Sequence, residues 1–535
     1  MTEYATPTAR TPPRPLWLPD RRIPWYILLP SLIAAGAMLV PLCYLILRAF
    51  EADPQTLHDL ILRWRNLDLL INTLALALGV IATTTLIALP LAWLVVKTNI
   101  RFKKALTLLG VIPLAVPGYV MAYALIGLGG NYGVLAQLTG FQLPRIDGYL
   151  GAMLALSLYT FPYLFLNLRA TLAGLDGNLE ESARSFGYRE RDIFLKILLP
   201  HLAPSLMAGW LVIGLYVLGD FGAVALMRYE AFSYAIFTQY AGAFDRIYAA
   251  WLSLMLLAVA LSFVMLDGLV IKRRLARVGT GVARQARLMQ LGKWQLPAWL
   301  FLATVFAASI GLPIMILAYW LLLSPPAVDF FLEVPATFLR SAGAALPAAL
   351  LAAAFALPVA YLAVRYRSTV ATLVERSAYI GYALPPLTLA LAMVFFTLTA
   401  APFLYQSLGM LIVTWAMAAL ALAVGPIRNV LLQTRPSMEE AAHSLGHGPV
   451  STFLWVILPR LRRGILAGIV LVFVLCMKEL PITFLLAPTG YTTLAVTVFT
   501  RTTEGMLAEA APFAAAIVVF SSLSVGLLLT KEGKR

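Results

Sequence analysis

The sequence predicts an all-α integral membrane protein with about 12 transmembrane helices, arranged as two parallel six-helix repeats. Three observations carry this. Of 535 residues, 61% are hydrophobic and 12% charged, a balance unlike that of soluble globular domains. The apolar residues gather into runs long enough to cross a bilayer. A polar stretch between such runs occurs twice. Glu181-Ser182-Ala183-Arg184-Ser185-Phe186-Gly187, closing at Ile197-Leu198-Leu199-Pro200, is matched by Glu440-Ala441-Ala442-His443-Ser444-Leu445-Gly446, closing at Val456-Ile457-Leu458-Pro459.

In chain order, residues 1–24 read as a cytoplasmic tail, polar and proline-rich up to Asp20-Arg21-Arg22. The run from Trp25 to Phe50 is too long for a signal-peptide core and has no small-residue cleavage site, so it reads as an uncleaved first span. Further runs follow at roughly 70–96, 105–128, 148–172, 203–227 and 248–271. Residues 25–272 thus form a first half holding the polar loop 173–200. A basic linker, 273–296, begins after Lys272 and includes Arg273, Arg274, Arg277, Arg284, Arg287 and Lys293. The second half, 297–530, repeats the pattern with runs at roughly 297–323, 341–364, 374–400, 407–431, 463–486 and 509–530, and holds the polar loop 432–459. A basic tail, 531–535, ends the chain. On this topology most Lys and Arg face the cytoplasm, the positive-inside bias. The net charge of +15 is thereby assigned to membrane orientation and lipid headgroups, with no nucleic-acid partner.

The halves match beyond the loops. Ala88-Leu89-Pro90-Leu91-Ala92-Trp93-Leu94-Val95-Val96-Lys97 parallels Ala356-Leu357-Pro358-Val359-Ala360-Tyr361-Leu362-Ala363-Val364-Arg365, and Pro117 parallels Pro385 at the same offset of 268. At the loops the offset is 259, so the second half is shorter in between, with 129–147 the natural place for the loss. Within each loop, Asn178 or Ser437 followed three residues later by Glu181 or Glu440 forms a capping-box pattern, and Gly187 or Gly446 suits a left-handed helix end.

Charges inside spans are costly and normally face a bundle interior or water. Asp220 and Glu479 fall at matching positions, each 33 residues beyond its loop glycine and next to Gly219 and Gly222 or Pro481. With Lys478 they are the candidates for the translocation pathway, and the two carboxylates are the candidates for metal contact. The alternative is structural: Glu479 paired with Lys478 or another helix, and Asp220 capping a helix. Tyr229, Glu230 and Tyr240 lie in an outer segment and are candidates for docking a periplasmic protein or touching a hard metal ion.

The motif Glu-Ala-Ala-x-x-x-Gly, with Ile-x-Leu-Pro after it, resembles the cytoplasmic signature of the membrane subunits of binding-protein-dependent ABC importers. The first copy has Ser182 for Ala and the second Val456 for Ile. This resemblance implies a type I ABC importer permease fold and coupling helices that seat in a partner ATPase, with Glu181, Ala183, Gly187, Glu440, Ala441, Ala442 and Gly446 facing that partner. Gly219-Asp220-Phe221-Gly222-Ala223 with Arg228-Tyr229, and Lys478-Glu479-Leu480-Pro481 running to Gly490-Tyr491-Thr492-Thr493-Leu494-Ala495, resemble the ferric iron importer permeases. The implied partners are two copies of an ATPase subunit, which hold ATP and Mg, and a periplasmic or lipid-anchored substrate-binding protein that delivers Fe(3+). The implied location is the bacterial inner membrane, with both termini cytoplasmic. Thiamine and phosphonate importers share the fused layout, and polyamine and sulfate importers share the loop.

The chain has no G-x-x-x-x-G-K-[ST] phosphate loop, so it is expected to be a transport subunit with no catalytic residues and no bound cofactor of its own. His58, His201, His443 and His447 form no ligand pattern with Cys43 and Cys476. An ion-driven secondary transporter also has parallel six-span halves, but it has no need of paired capped loops. A membrane sensor or scaffold is the other rival, and it predicts that no solute's uptake depends on the chain.

Overall fold

Helices account for nearly all regular structure in the computed structural model, which describes residues 23–272, 288–322, 327–366 and 368–532. Residues 1–22, Arg273–Arg287 of the linker and 533–535 of the last tail lie outside the described residues. Among the described residues eight helices are long and apolar enough to cross a membrane: Trp25–Ala49, Trp64–Lys97, Gly148–Gly174, Glu190–Gly219, Arg246–Leu266, Gly292–Leu322, Val328–Arg365 and Leu507–Ser524. Three bent pairs bring the number to 11. The twelfth expected run is the helix Leu458–Met477, with Arg460, Arg462 and Arg463 at its start, followed after a break by Pro481–Leu486.

Several runs that read as straight spans are interrupted. Lys103–Ala115 meets Gly118–Leu128 at 92°, and Thr369–Gly381 meets Pro386–Ala400 at 105°. Pro117 and Pro385 cause both bends. A proline pushes the residue before it out of the helical region, and Val116 and Leu384 are extended, with ψ 107° and 130°. The expected span 203–227 stops at Gly219 and resumes as Gly222–Leu226, while 463–486 stops at Met477. Broken backbone at membrane depth is tolerated where it is enclosed by protein or lines a cavity.

The repeats share their packing. In the first half Trp64–Lys97, Gly148–Gly174 and Leu199–Gly219 contact one another, and in the second half Val328–Arg365, Leu420–Gln433 and Leu458–Met477 do the same. Small residues allow the close approach: a Cβ on Gly464 would stand 2.9 Å from the Pro426 carbonyl oxygen. Even single hydrogen bonds recur. The Tyr229 hydroxyl donates to the Asn72 carbonyl (3.1 Å) and the Phe232 N–H to Thr73 Oγ1 (3.0 Å). In the second half Tyr491 donates to the Arg340 carbonyl (2.5 Å) and Leu494 N–H to Ser341 Oγ (3.0 Å). The first helix of each half crosses over: Trp25–Ala49 packs on Val328–Arg365 and Pro386–Ala400, and Leu312–Leu322 packs on Gly118–Leu128.

Candidate functional site

The broken fifth spans and bent third spans meet between the halves around a cavity of about 190 Å³. Its lining includes Gly118, Tyr119, Tyr159, Tyr216 and Asp220 from the first half, and Pro386, Lys478 and Glu479 from the second. Each break packs on the other half's proline bend. A Cβ on Gly219 would lie 3.0 Å from Pro386 Cδ. Reciprocally, Lys478 Nζ donates to the Leu114 carbonyl (3.2 Å), and the Tyr119 hydroxyl donates to the Lys478 carbonyl (3.4 Å). The breaks also touch directly, since a Cβ on Gly222 would stand 2.8 Å from Leu480 Cδ2.

Both sequence-matched carboxylates cap the helix that follows their break. Asp220 Oδ1 accepts from the N–H groups of Ala223 (2.9 Å) and Val224 (3.4 Å). Glu479 Oε1 accepts from Ile482 N–H (2.8 Å). Its Oε2 accepts from Thr483 N–H (3.0 Å), the Thr483 hydroxyl (2.8 Å) and Trp415 Nε1 (3.0 Å). The two are therefore unequal. Both oxygens of Glu479 are occupied, whereas Asp220 Oδ2 has no hydrogen-bond partner among the described residues. Oδ2 lies against Gly118, where a Cβ would come within 3.0 Å of it. Lys478 lines the same cavity but forms no ion pair with Glu479 among the described residues; its amine turns to Leu114 instead.

Past the breaks Phe221, which lines the cavity, joins a cluster of four aromatic rings. Phe221 stands 4.9 Å from Phe237, 5.3 Å from Phe499 and 6.2 Å from Phe484 between ring centroids, so each half supplies two rings.

The paired loops form the helices Gly177–Ser185 and Ser437–Ser444. Gly187 (φ 81°) and Gly446 (φ 87°) turn left-handed, and Tyr188 and His447 N–H reach back to the Ala183 and Ala442 carbonyls. The expected capping boxes do not form. Asp176 caps the first helix through Asn178 N–H, and Pro436 precedes the second with no side-chain cap. Glu181, Gly187, Glu440, Ala441 and Gly446 are exposed. Ala183 and Ala442 are each 5% exposed, and Ala183 turns inward onto Ile193 and Leu198. The outward apolar side chains are instead Phe186 (82% exposed) and Leu445 (81%), which stand at matching positions.

Sequence reasoning also missed the residue before each signature Glu. Glu180 Oε1 pairs with Lys97 Nζ (2.5 Å), and Glu439 Oε1 pairs with Arg365 Nε (2.7 Å), both pairs buried. Lys97 and Arg365 end the matched Ala-Leu-Pro segments, and that shared position was the available signal. Arg184 carries the first pair onward: it lies 3.7 Å from Glu180 and donates to Glu190 at 2.7 Å. That hydrogen bond lowers the Glu190 carboxyl below its ordinary value and raises the Arg184 guanidinium.

Tyr229 and Glu230 both meet Asn72, whose Nδ2 donates to the Glu230 carbonyl (3.0 Å), while Tyr240 packs elsewhere. Tyr229 serves Asn72, Glu230 lies 3.8 Å from Arg65, and the Tyr240 ring lies 6.4 Å from Phe395. Among the described residues no group of three or more His, Cys, Asp and Glu could hold a metal ion.

Comparison with known proteins supplies the remaining findings. A family model described as "Binding-protein-dependent transport system inner membrane component" matches residues 84–276 and again 345–530. The Fe(3+)-transport system permease protein FbpB 2 of Haemophilus influenzae is 31% identical over 519 residues, covering 95% of this chain and 98% of that protein. The molybdenum transport system permease protein ModB of Escherichia coli K12 is 30% identical over 154 residues, 28% of this chain and 67% of its own length. A probable sulfate transport system permease protein cysT of Prototheca wickerhamii is 28% identical over 156 residues, 29% of this chain and 61% of its own.

Proposed function

Because the chain belongs to the family of binding-protein-dependent transport system inner membrane components, with two family modules in one polypeptide, we propose that it forms the pathway of an ATP-driven ferric iron importer. The inter-half cavity with the unengaged Asp220 Oδ2 carries this reading. A hard trivalent cation favours oxygen donors, and the cavity offers a carboxylate oxygen beside the phenols of Tyr119, Tyr159 and Tyr216. The near full-length likeness to a protein named for Fe(3+) transport supports the same cargo.

In this reading a separate binding protein delivers iron to the bundle end beyond the Phe221 quartet. Two ATPase copies seat on Gly177–Ser185 and Ser437–Ser444, with Phe186 and Leu445 as the apolar contacts. The paired loops and both termini lie on the cytoplasmic side. Closure of the ATPase pair drives the halves apart at the quartet, and cargo passes the breaks along the inter-half axis. Glu479 is a structural brace, and Asp220 is the cargo contact.

One observation favours a second cargo class. Lys478 places a cation in the cavity, which suits an oxyanion, and relatives over shorter stretches are named for molybdenum and sulfate transport. The test is ATP-dependent uptake into proteoliposomes holding the chain with its ATPase and binding protein, offered labelled ferric iron, molybdate, sulfate, thiamine and phosphonate separately. Iron accumulation alone supports the proposal; accumulation of either oxyanion without iron replaces it.

A further inference from the structure

We propose that Lys97 and Arg365 are positioning residues that carry motion of the two coupling helices into the membrane bundle, an inference that rests on the ATP-driven reading above. The geometry is the same in both halves. Lys97, at the end of Trp64–Lys97, holds Glu180 of the first coupling helix, and Arg365, at the end of Val328–Arg365, holds Glu439 of the second. Side-chain exposures are 7% and 5% in the first pair and 0% and 1% in the second.

A second contact clamps the other arm of each loop. One turn before the cation, the Trp93 ring meets Phe194 edge-on at 5.4 Å, and the Tyr361 ring meets Phe453 at 5.6 Å. Phe194 and Phe453 each open a π-helical turn, Phe194–Leu198 and Phe453–Ile457, where the loop runs into the next membrane helix. Such turns replace the regular helical ladder with a wider one and concentrate at functional sites. The end of the second span in each half therefore grips both the coupling helix and the root of the fifth span. The fifth span leads directly to Asp220 or Glu479.

A buried ion pair is a weak means of adding stability, because desolvation offsets most of the attraction. Its value is positional: two charges that cannot separate without great cost must move together. The surroundings of the two pairs differ while the pairing persists. Arg365 also donates to the Thr434 carbonyl (2.9 Å), and the Tyr361 hydroxyl donates to Glu439 Oε2 (2.7 Å). Among the described residues Lys97 and Glu180 have no counterpart of these two contacts. The Lys97 backbone is tied instead to the linker between the halves, since the Lys97 carbonyl accepts from Met289 N–H (2.8 Å) and Asn99 N–H donates to the Met289 carbonyl (3.0 Å). Movement of the first coupling helix thus also reaches the linker that leads into the second half.

The test uses the full complex of chain, ATPase and binding protein in proteoliposomes. It reads ATPase co-purification, ATP hydrolysis stimulated by loaded binding protein, and solute moved per ATP. Lys97→Met and Arg365→Met should each keep the ATPase bound and hydrolysing while solute moved per ATP falls on the order of tenfold. Lys97→Arg and Arg365→Lys, each borrowing the other half's cation, should stay near the parent. Should Lys97→Met fail to accumulate in the membrane, the neutral pair Lys97→Met with Glu180→Gln is measured in its place. Unchanged solute per ATP in the Met variants overturns the proposal, as does loss of the neutral pair from the membrane, which would make the contact a folding element. An ATPase that never co-purifies with the parent chain instead overturns the ATP-driven reading itself.

Discussion

Trp415 Nε1 donates a 3.0 Å hydrogen bond to Glu479 Oε2, and Asp220, at the matching position of the first half, receives no side-chain donor among the described residues. Trp415 is 1% exposed, so water is a poor substitute for its N–H. Trp415→Phe should therefore destabilise the protein by about 1–3 kcal/mol, the cost of removing one donor from a buried charge. Thermal unfolding in detergent checks this. An unchanged midpoint would mean that the remaining donors hold Glu479 alone.

Asp220→Asn should separate cargo contact from helix capping. The amide keeps an oxygen for Ala223 and Val224 N–H but replaces the unengaged carboxylate oxygen with an uncharged amide NH2, which donates and cannot accept. Uptake should fall at least about tenfold with unfolding unchanged, as expected when one charged contact worth 1.4 kcal/mol or more is lost. Labelled-iron uptake beside a thermal melt is the measurement, and normal uptake would remove Asp220 from the pathway.

Gly118→Ala tests the same oxygen by crowding. The added methyl would sit 3.0 Å from Asp220 Oδ2, a tight approach that the carboxylate must relieve by giving way by a few tenths of an ångström. Uptake should fall while the ATPase still co-purifies, because Gly118 lies far along the chain from either coupling helix. Uptake equal to the parent's would show that Oδ2 is not in contact with cargo.

Phe186 and Leu445 should behave as docking residues. Phe186→Ser and Leu445→Ser should each weaken ATPase binding by on the order of tenfold, the usual effect of removing an apolar anchor from an interface centre. Titration of the purified ATPase onto the chain in nanodiscs reads the affinity. Folding should be unaffected, because both side chains are exposed in the isolated chain.

Acid should loosen the first of the paired loops. The Arg184 hydrogen bond depresses the Glu190 carboxyl in the folded state. A depressed carboxyl contributes order that is fully present above its unfolded value of 4.5 and is lost as pH falls through the lower folded value. Hydrogen exchange across residues 186–192, corrected for intrinsic rates, should rise below pH 4.5 in the parent and be already high in Glu190→Gln at neutral pH. Equal protection in the two proteins would contradict this.

The duplication was legible in the sequence because its markers are local: loop glycines at positive φ, prolines at the bends and carboxylates at the breaks. Pro117 and Pro385 were visible as a matched pair, but the right-angle turns were not, since hydropathy is blind to direction. The capping boxes failed because spacing alone cannot tell Asn178 from Asp176 as the cap. The buried pairs were hidden by the change of offset. Lys97 and Arg365 match at 268 and Glu180 and Glu439 at 259, so neither alignment displays both partners together. The burial of Ala183 and Ala442 was not legible because a motif names residues without saying which face of the helix they occupy.

The central claim is that this chain moves solute only when a separate ATPase works on its two loops. Its most direct test is labelled ferric iron accumulation in proteoliposomes containing the chain and loaded binding protein, with and without the ATPase. The account predicts accumulation only when the ATPase and hydrolysable ATP are both present. Accumulation without the ATPase, driven by an ion gradient alone, would contradict it.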